Sequence, residues 1–149
     1  LRNYKFRGKS IEYNTWVYGS LIKSKLFEGG HVDTWIKKEE SILGILSTPT
    51  KNFIQVNPST VGQFIEKYDR EENELYEGDI LSTSNNDPNF DIWDELDNKF
   101  TIIIWDVENN CWTGSDWFIE GPEEESIYNL RFVKKIGNIY DNLELEYNL

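Results

Sequence analysis

The sequence predicts a mainly β fold, a β-rich α+β domain, and three observations carry that expectation. Val, Ile, Thr and the aromatics make up 52 of the 149 residues, and such side chains suit a pleated, half-buried surface. Ala, the strongest helix former, is absent. Apolar residues fall in short runs cut by Gly, Pro, Asn and Asp, the punctuation of strands and turns.

Element by element, Tyr4 to Lys9 alternates aromatic with basic residues and reads as a half-buried strand. Trp16 to Ile22 is a second strand after a turn at Asn14-Thr15, and Val32 to Lys38 a third after Gly29-Gly30. Glu39 to Leu46 fits helix or strand equally. Phe53 to Asn57 is a short strand, and Pro58-Ser59-Thr60 turns the chain into Val61 to Glu66. Asp69 to Glu74 holds five charged side chains and no apolar one, which marks a subdomain border or a hairpin tip. Leu75 to Thr83 contains Gly78-Asp79, and a polar loop follows from Ser82 to Asn89. Phe100 to Val107 and Cys111 to Ile119 flank Glu108-Asn109-Asn110, a hairpin signal. Gly121-Pro122 followed by three Glu predicts a short helix to about Leu130, because Pro suits the first helical position and acids the positive end of the dipole. Phe132 to Ile139 is the last strand. The sum is a β-rich chain whose second half forms a small closed or partly open barrel.

The net charge of −12 is unevenly spread. Residues 1–68 carry ten Lys/Arg and six Asp/Glu, and residues 69–149 carry five and twenty-one. Two regions are therefore expected, 1–68 antiparallel and mildly basic, 69–149 acidic and barrel-like, packed as one unit. The longest apolar run is Ile102 to Trp105, far short of the ~20 residues that span a bilayer. Leu1 to Lys9 is basic with no apolar core behind it, unlike a secretory signal. The lone Cys111 cannot form an internal disulfide. The expected location is a reducing cytoplasm.

With one His and one Cys, a thiolate–imidazole zinc site is excluded. His31, after two glycines, reads as a surface turn residue. There is no nucleophile elbow, Walker loop or dinucleotide fingerprint. No catalytic residue, metal site or cofactor is assigned, and the protein is expected not to be an enzyme. Two groups remain as candidates. Glu77 and Asp79 lie on one face of an extended segment, with Asp106, Asp116 and Glu120 as partners in a carboxylate cluster. Such a cluster binds a divalent cation or does acid–base work, although among 27 acids some proximity arises by chance. The stretch Ile92 to Trp117 holds Trp93, Trp105, Trp112 and Trp117 among acids, which suits a ligand groove or plain core packing. Trp93, within Asp91, Asp94, Glu95 and Asp97, is the candidate interaction surface, because Trp favours interface cores.

Three stretches resemble the YopX family of phage and prophage proteins. Tyr4-Lys5-Phe6-Arg7-Gly8 with Trp16-Val17-Tyr18-Gly19 is similar to the family's opening. Thr60-Val61-Gly62-Gln63-Phe64 with Leu75-Tyr76-Glu77-Gly78-Asp79-Ile80-Leu81 is the most specific pairing. Ile136-Gly137-Asn138-Ile139-Tyr140-Asp141-Asn142 is similar to the closing motif, with Leu143 where the family often has Pro. The resemblance implies a β-rich fold with an SH3-type barrel in the C-terminal half, a bacterial host cell and no established activity. It implies that Tyr76, Ile80, Ile136 and Ile139 fill the barrel core, that Gly62 and Gly78 allow tight backbone, and that Asp79 bonds turn amides. The spacer lacks the family's turn glycine, which predicts a looser hairpin.

The expected role is a non-enzymatic interaction module whose partner is another protein or a second copy. The alternative is an acidic nucleic-acid mimic that binds a basic host or phage protein. Arg2, Lys5, Arg7, Lys9, Lys23 and Lys25 form a basic amino-terminal patch, but the overall charge argues against direct nucleic-acid binding.

Overall fold

The computed structural model describes residues 4–25, 32–38, 52–82, 100–114 and 133–143. Among these the chain is mainly β, with antiparallel pairing throughout. It divides into two compact units between Phe64 and Ile65. That border lies inside a strand, upstream of the charge reversal at Tyr68. Moving the border exchanges only Glu66 and Lys67, one of each sign, so residues 1–64 still carry +4 and residues 65–149 still carry −16.

The first unit is built on β1 (Phe6–Lys9), β2 (Trp16–Lys25), β3 (Val32–Lys38), β4 (Phe53–Gln55) and the start of β5 (Gly62–Tyr68). Their hydrogen-bonded order is β4-β3-β2-β1-β5. The turn from β1 to β2 closes because Ser10 N–H donates to the Thr15 carbonyl at 2.9 Å and Asn14 takes a φ of 52°, a left-handed geometry that Asn tolerates. Between β4 and β5, Asn57 Oδ1 accepts from Ser59 N–H at 3.1 Å and starts a 3₁₀ turn, Pro58–Thr60. Thr60 Oγ1 then accepts from Lys9 N–H at 2.9 Å, tying the turn to the end of β1. Alternation along the strands sends Val17, Ile36 and Val56 inward, with Leu21, Ile54 and Val61 packed against them. Ile36 and Val56 are fully buried, each contributing about 1.5–3 kcal/mol of apolar burial.

The second unit continues from the end of β5 through β6 (Glu74–Tyr76), β7 (Asp79–Ser82), β8 (Phe100–Ile102), β9 (Ile104–Asp106), β10 (Cys111–Thr113) and β11 (Lys134–Asn138). β6 follows β5 in hydrogen-bonded order, β11-β7-β8 form a three-stranded sheet, and β9 and β10 form a two-stranded hairpin. The core joins Ile65, Leu75, Leu81, Ile103, Trp112 and Val133.

Several expectations are corrected here. Among the described residues no sheet closes on itself, so the expected SH3-type barrel is not seen. The expected strand Phe100 to Val107 is interrupted at Ile103. Its N–H donates to the Asp79 carbonyl at 3.0 Å and its carbonyl accepts from Gly78 N–H at 2.8 Å. The run Phe100 to Val107 is therefore split between two sheets and is not one strand. Leu75 to Thr83 is likewise two strands, parted by a turn at Glu77-Gly78. Tyr76 and Ile80 are buried, as the resemblance implied, but Ile136 and Ile139 are only half-buried. β2 outruns its expected end by continuing to Lys25, paired residue for residue with β3. The regions Glu39 to Leu46, Ser82 to Asn89 beyond Ser82, and the helix to Leu130 lie outside the described residues, as does His31.

Gly19 fixes how closely β2 and β3 approach. Its φ is 150°, and a Cβ there meets the Lys37 carbonyl oxygen, which is backbone and cannot step aside. Gly19→Ala is expected to destabilise the protein by about 3 kcal/mol, read as a lowered urea midpoint. An unchanged midpoint contradicts this account of the β2–β3 pairing.

Candidate functional site

Polar chemistry in the second unit gathers on three residues. Asp69 directly follows β5 and is almost fully buried. Its Oδ1 accepts from the N–H groups of Glu71 (2.9 Å) and Asn73 (2.8 Å). Its Oδ2 accepts from the Asn73 side-chain amide (3.0 Å) and from Lys135 N–H (3.0 Å). Burial alone pushes this carboxyl up, but the hydrogen bonds from Lys135, Asn73 and Glu71 outweigh it and hold the group below the usual carboxylate range. Asp69 thus does the work of the missing turn glycine. Glu72 occupies the left-handed position with a φ of 64°, yet the hairpin is pinned, not loose.

Asp79 is fully buried at the start of β7. Its Oδ2 accepts from Tyr76 N–H at 2.8 Å, the bond expected of a short acid beside a turn. The same oxygen lies 3.0 Å from Lys135 Nζ. Gly78, between them, has a φ of 80°, and a Cβ there would press on Tyr140 and Ile139. Lys135 Nζ also lies 3.5 Å from the Glu74 carbonyl oxygen and 5.9 Å from the centre of the Tyr76 ring. One lysine, through its backbone and its ammonium, therefore joins two buried carboxylates.

Three members of the predicted carboxylate cluster, Glu77, Asp79 and Asp106, fall among the described residues. Asp79 is committed to Lys135 and Tyr76. Glu77 is half-buried in the adjoining turn. Asp106 caps the β9–β10 turn, accepting from Glu108 N–H at 2.9 Å and from Asn109 through both its N–H (3.1 Å) and its side-chain amide (2.7 Å). These bonds, the Asn109 amide first, hold its carboxyl below the usual range. Asp116 and Glu120 lie outside the described residues, as do Asp91, Trp93, Asp94, Glu95 and Asp97. Among the described residues no three His, Cys, Asp or Glu side chains are placed to hold a metal ion. Trp105 and Trp112 meet edge to face at 4.9 Å across the hairpin, with Trp112 in the core. These two serve packing.

Sequence reasoning missed a second feature, on the first unit. Strand register puts Arg7 opposite Tyr18, Lys9 opposite Trp16, Ile22 opposite Trp35, and Lys37 opposite both Ser20 and Phe53. Directly paired residues share a face, so these side chains stand together on the side away from Val17, Ile36 and Val56. Arg7 lies 4.7 Å and Lys9 5.8 Å from the centre of the Trp16 ring, within cation–π range. A cavity of about 240 Å³ adjoins them, lined by Trp35, Phe53 and Gln55 with the Ser10–Glu12 turn. The spacing of two between Arg7 and Lys9, Trp16 and Tyr18, and Trp35 and Lys37 was the available signal. Only the strand register brings the pairs onto one surface.

A family model described as YopX protein matches residues 5–145. The chain belongs to the YopX family. The match covers the three stretches that carried the resemblance from Lys5 onward, including the Asp79 turn and the Asn138 turn of this YopX chain. In the latter, Asn138 Oδ1 accepts from the N–H groups of Tyr140 (3.0 Å) and Asp141 (3.1 Å), while Asn142 Oδ1 accepts from Asn138 N–H at 3.2 Å. No functionally curated protein is significantly similar to it. It is similar to the crystal structure of protein EF1440 from Enterococcus faecalis, with 15% sequence identity, a TM-score of 0.49, and coverage of 97% of this chain and 99% of that one. That likeness carries no argument about function. No helix among the described residues is long and apolar enough to cross a membrane.

Two outcomes follow from the Lys135 junction. Lys135→Met strands a buried carboxylate and is expected to cost about 3–5 kcal/mol. Lys134→Met removes only the exposed 2.7 Å pair with Glu71, at a cost of ~0–1 kcal/mol. Urea melts of both variants check the order. Asp69 has a folded pKa below its unfolded value. Its contribution is therefore complete above the unfolded carboxyl range, about pH 3.9, and is lost as pH falls through the folded value. Asp69→Asn is expected to lower stability at pH 7 and to flatten the acid limb below about pH 4. An acid limb as steep as wild type's contradicts the assignment.

Proposed function

We propose that this YopX chain is a non-enzymatic interaction module of phage or prophage lineage. It acts in the reducing cytoplasm of a bacterial host and associates with protein, foremost with further copies of itself. The observation that carries this is the persistence of charge polarity in the folded division: +4 on residues 1–64 and −16 on residues 65–149. Opposite charge on two parts of one chain favours head-to-tail association, because each copy presents both complements. The described carboxylates with the closest environments, Asp69, Asp79 and Asp106, are spent on turns and on Lys135. That supports a structural use of acidity over acid–base chemistry.

The second reading, an acidic nucleic-acid mimic that binds a basic host or phage protein, is favoured by the −16 alone. Sedimentation velocity separates the two. In about 0.01 M salt, where screening is weak, self-association predicts species heavier than the 17.6 kDa chain. In about 1 M salt they are expected to dissociate. A single 17.6 kDa species at both ionic strengths overturns self-association and leaves the mimic, which must then bind a basic DNA-binding protein in competition with duplex DNA.

A further inference from the structure

The cavity of about 240 Å³ in the first unit combines apolar walls with a carboxylate. Trp35 and Gln55 are directly paired across β3 and β4, and Phe53 lies two residues from Gln55 on the same face. The β1–β2 turn supplies another wall, held against β4 because Ile11 N–H donates to the Gln55 carbonyl at 3.1 Å. That turn is itself fixed. Ser10 is buried and bridges to Val56, and its Oγ accepts from Tyr13 N–H at 3.2 Å. Phe53 is 50% and Ile11 59% exposed, so these walls stay open to solvent.

Charges on the surrounding surface nearly cancel. Lys9 and Lys37 are offset by Glu12 and Asp33, and Arg7 is buried. Among the described residues that line the cavity, the charge is that of Glu12. Its carboxylate hydrogen-bonds the Tyr13 hydroxyl, and that bond, followed by the Glu12 charge, holds the phenol above its usual range. Asp33 brings a second carboxylate up to the lining, its Oδ1 accepting from the Gln55 amide at 3.0 Å. Lys37, opposite Phe53 in register, is exposed and does not line the cavity.

We infer that this cavity receives the guanidinium group of an arginine presented by a partner protein. The inference rests on the interaction-module reading and names the chemistry of one contact. Aromatic walls with a carboxylate attract a cation through ring and charge together. A guanidinium suits both. It stacks on rings and gives a carboxylate two parallel N–H bonds, whereas an ammonium is compact and strongly hydrated. The volume lies below the roughly 300–1,000 Å³ of sites that enclose drug-sized ligands, so the cavity takes the end of a side chain.

The test titrates the full chain, isotopically labelled at Trp, with N-acetyl-argininamide and follows the Trp35 indole N–H resonance. A saturable shift is expected. Glu12→Gln is expected to weaken binding about tenfold, the size of one charge-assisted hydrogen bond. Phe53→Leu keeps an apolar wall but removes the ring, with an expected weakening of several-fold. Both positions are exposed, so melting curves are expected to match wild type. If Glu12→Gln melts early, Phe53→Leu is read instead. Equal affinity for N-acetyl-citrullinamide, the neutral isostere, overturns the proposal, and so does the absence of a saturable shift. Binding of agmatine without binding of the capped arginine moves the ligand to a free small molecule and overturns the protein source. Sedimentation keeps the two readings apart. A chain that self-associates in low salt but binds no capped arginine loses the cavity assignment alone. A monomer that binds it loses self-association and keeps the cavity.

Discussion

Lys135 is the contact on which the second unit depends. A polypeptide with sixteen surplus negative charges resists compaction through self-repulsion. This one sets two of its carboxylates inside the fold, where each needs partners. Lys135 serves both: its backbone N–H reaches Asp69 and its ammonium reaches Asp79, each at 3.0 Å. The turn after β5, the turn before β7 and the start of β11 are therefore fixed relative to one another by one residue. Removing a single partner from such an arrangement costs more than the arrangement itself contributes, because an unpaired buried charge remains.

Other described acids of this unit are also engaged locally, Glu71 with Lys134 and Asp106 with the β9–β10 turn. The first unit uses its charges differently. Its core needs only aliphatic residues such as Val17, Ile36 and Val56, so the opposite face of the sheet is free to carry Lys9, Trp16, Tyr18 and Lys37. A sheet buried on one face and half-open on the other is the common antiparallel arrangement. Here that face carries aromatic rings with Lys9, Lys37 and Asp33, and Arg7 is buried within it.

How much of this was legible follows from the range of the signals. Strand existence was local information. Val32–Lys38 appears with its predicted bounds because alternation and flanking turns lie within the segment itself. The breaks at Ile103 and at Glu77-Gly78 were not legible, since they arise from hydrogen bonds between Gly78, Asp79 and Ile103, residues distant in sequence. The expected barrel is not confirmed, since no sheet closes among the described residues. Of the candidate residues, Asp79 was rightly placed beside a turn, but its partner Lys135 lies 56 positions on and no pattern announced it. The looser hairpin that the missing family glycine implied is not what forms. Asp69 supplies by side-chain acceptance what glycine supplies by backbone freedom. The aromatic–basic face required strand register, which periodicity alone does not give.

The central claim is that Lys135 holds the second unit together through its two buried carboxylates. The most direct measurement is a double-mutant cycle between Lys135→Met and Asp79→Asn, read from urea midpoints. The account predicts that the two changes together cost less than the sum of their separate costs, by about 0.5–3 kcal/mol. Costs that simply add contradict it.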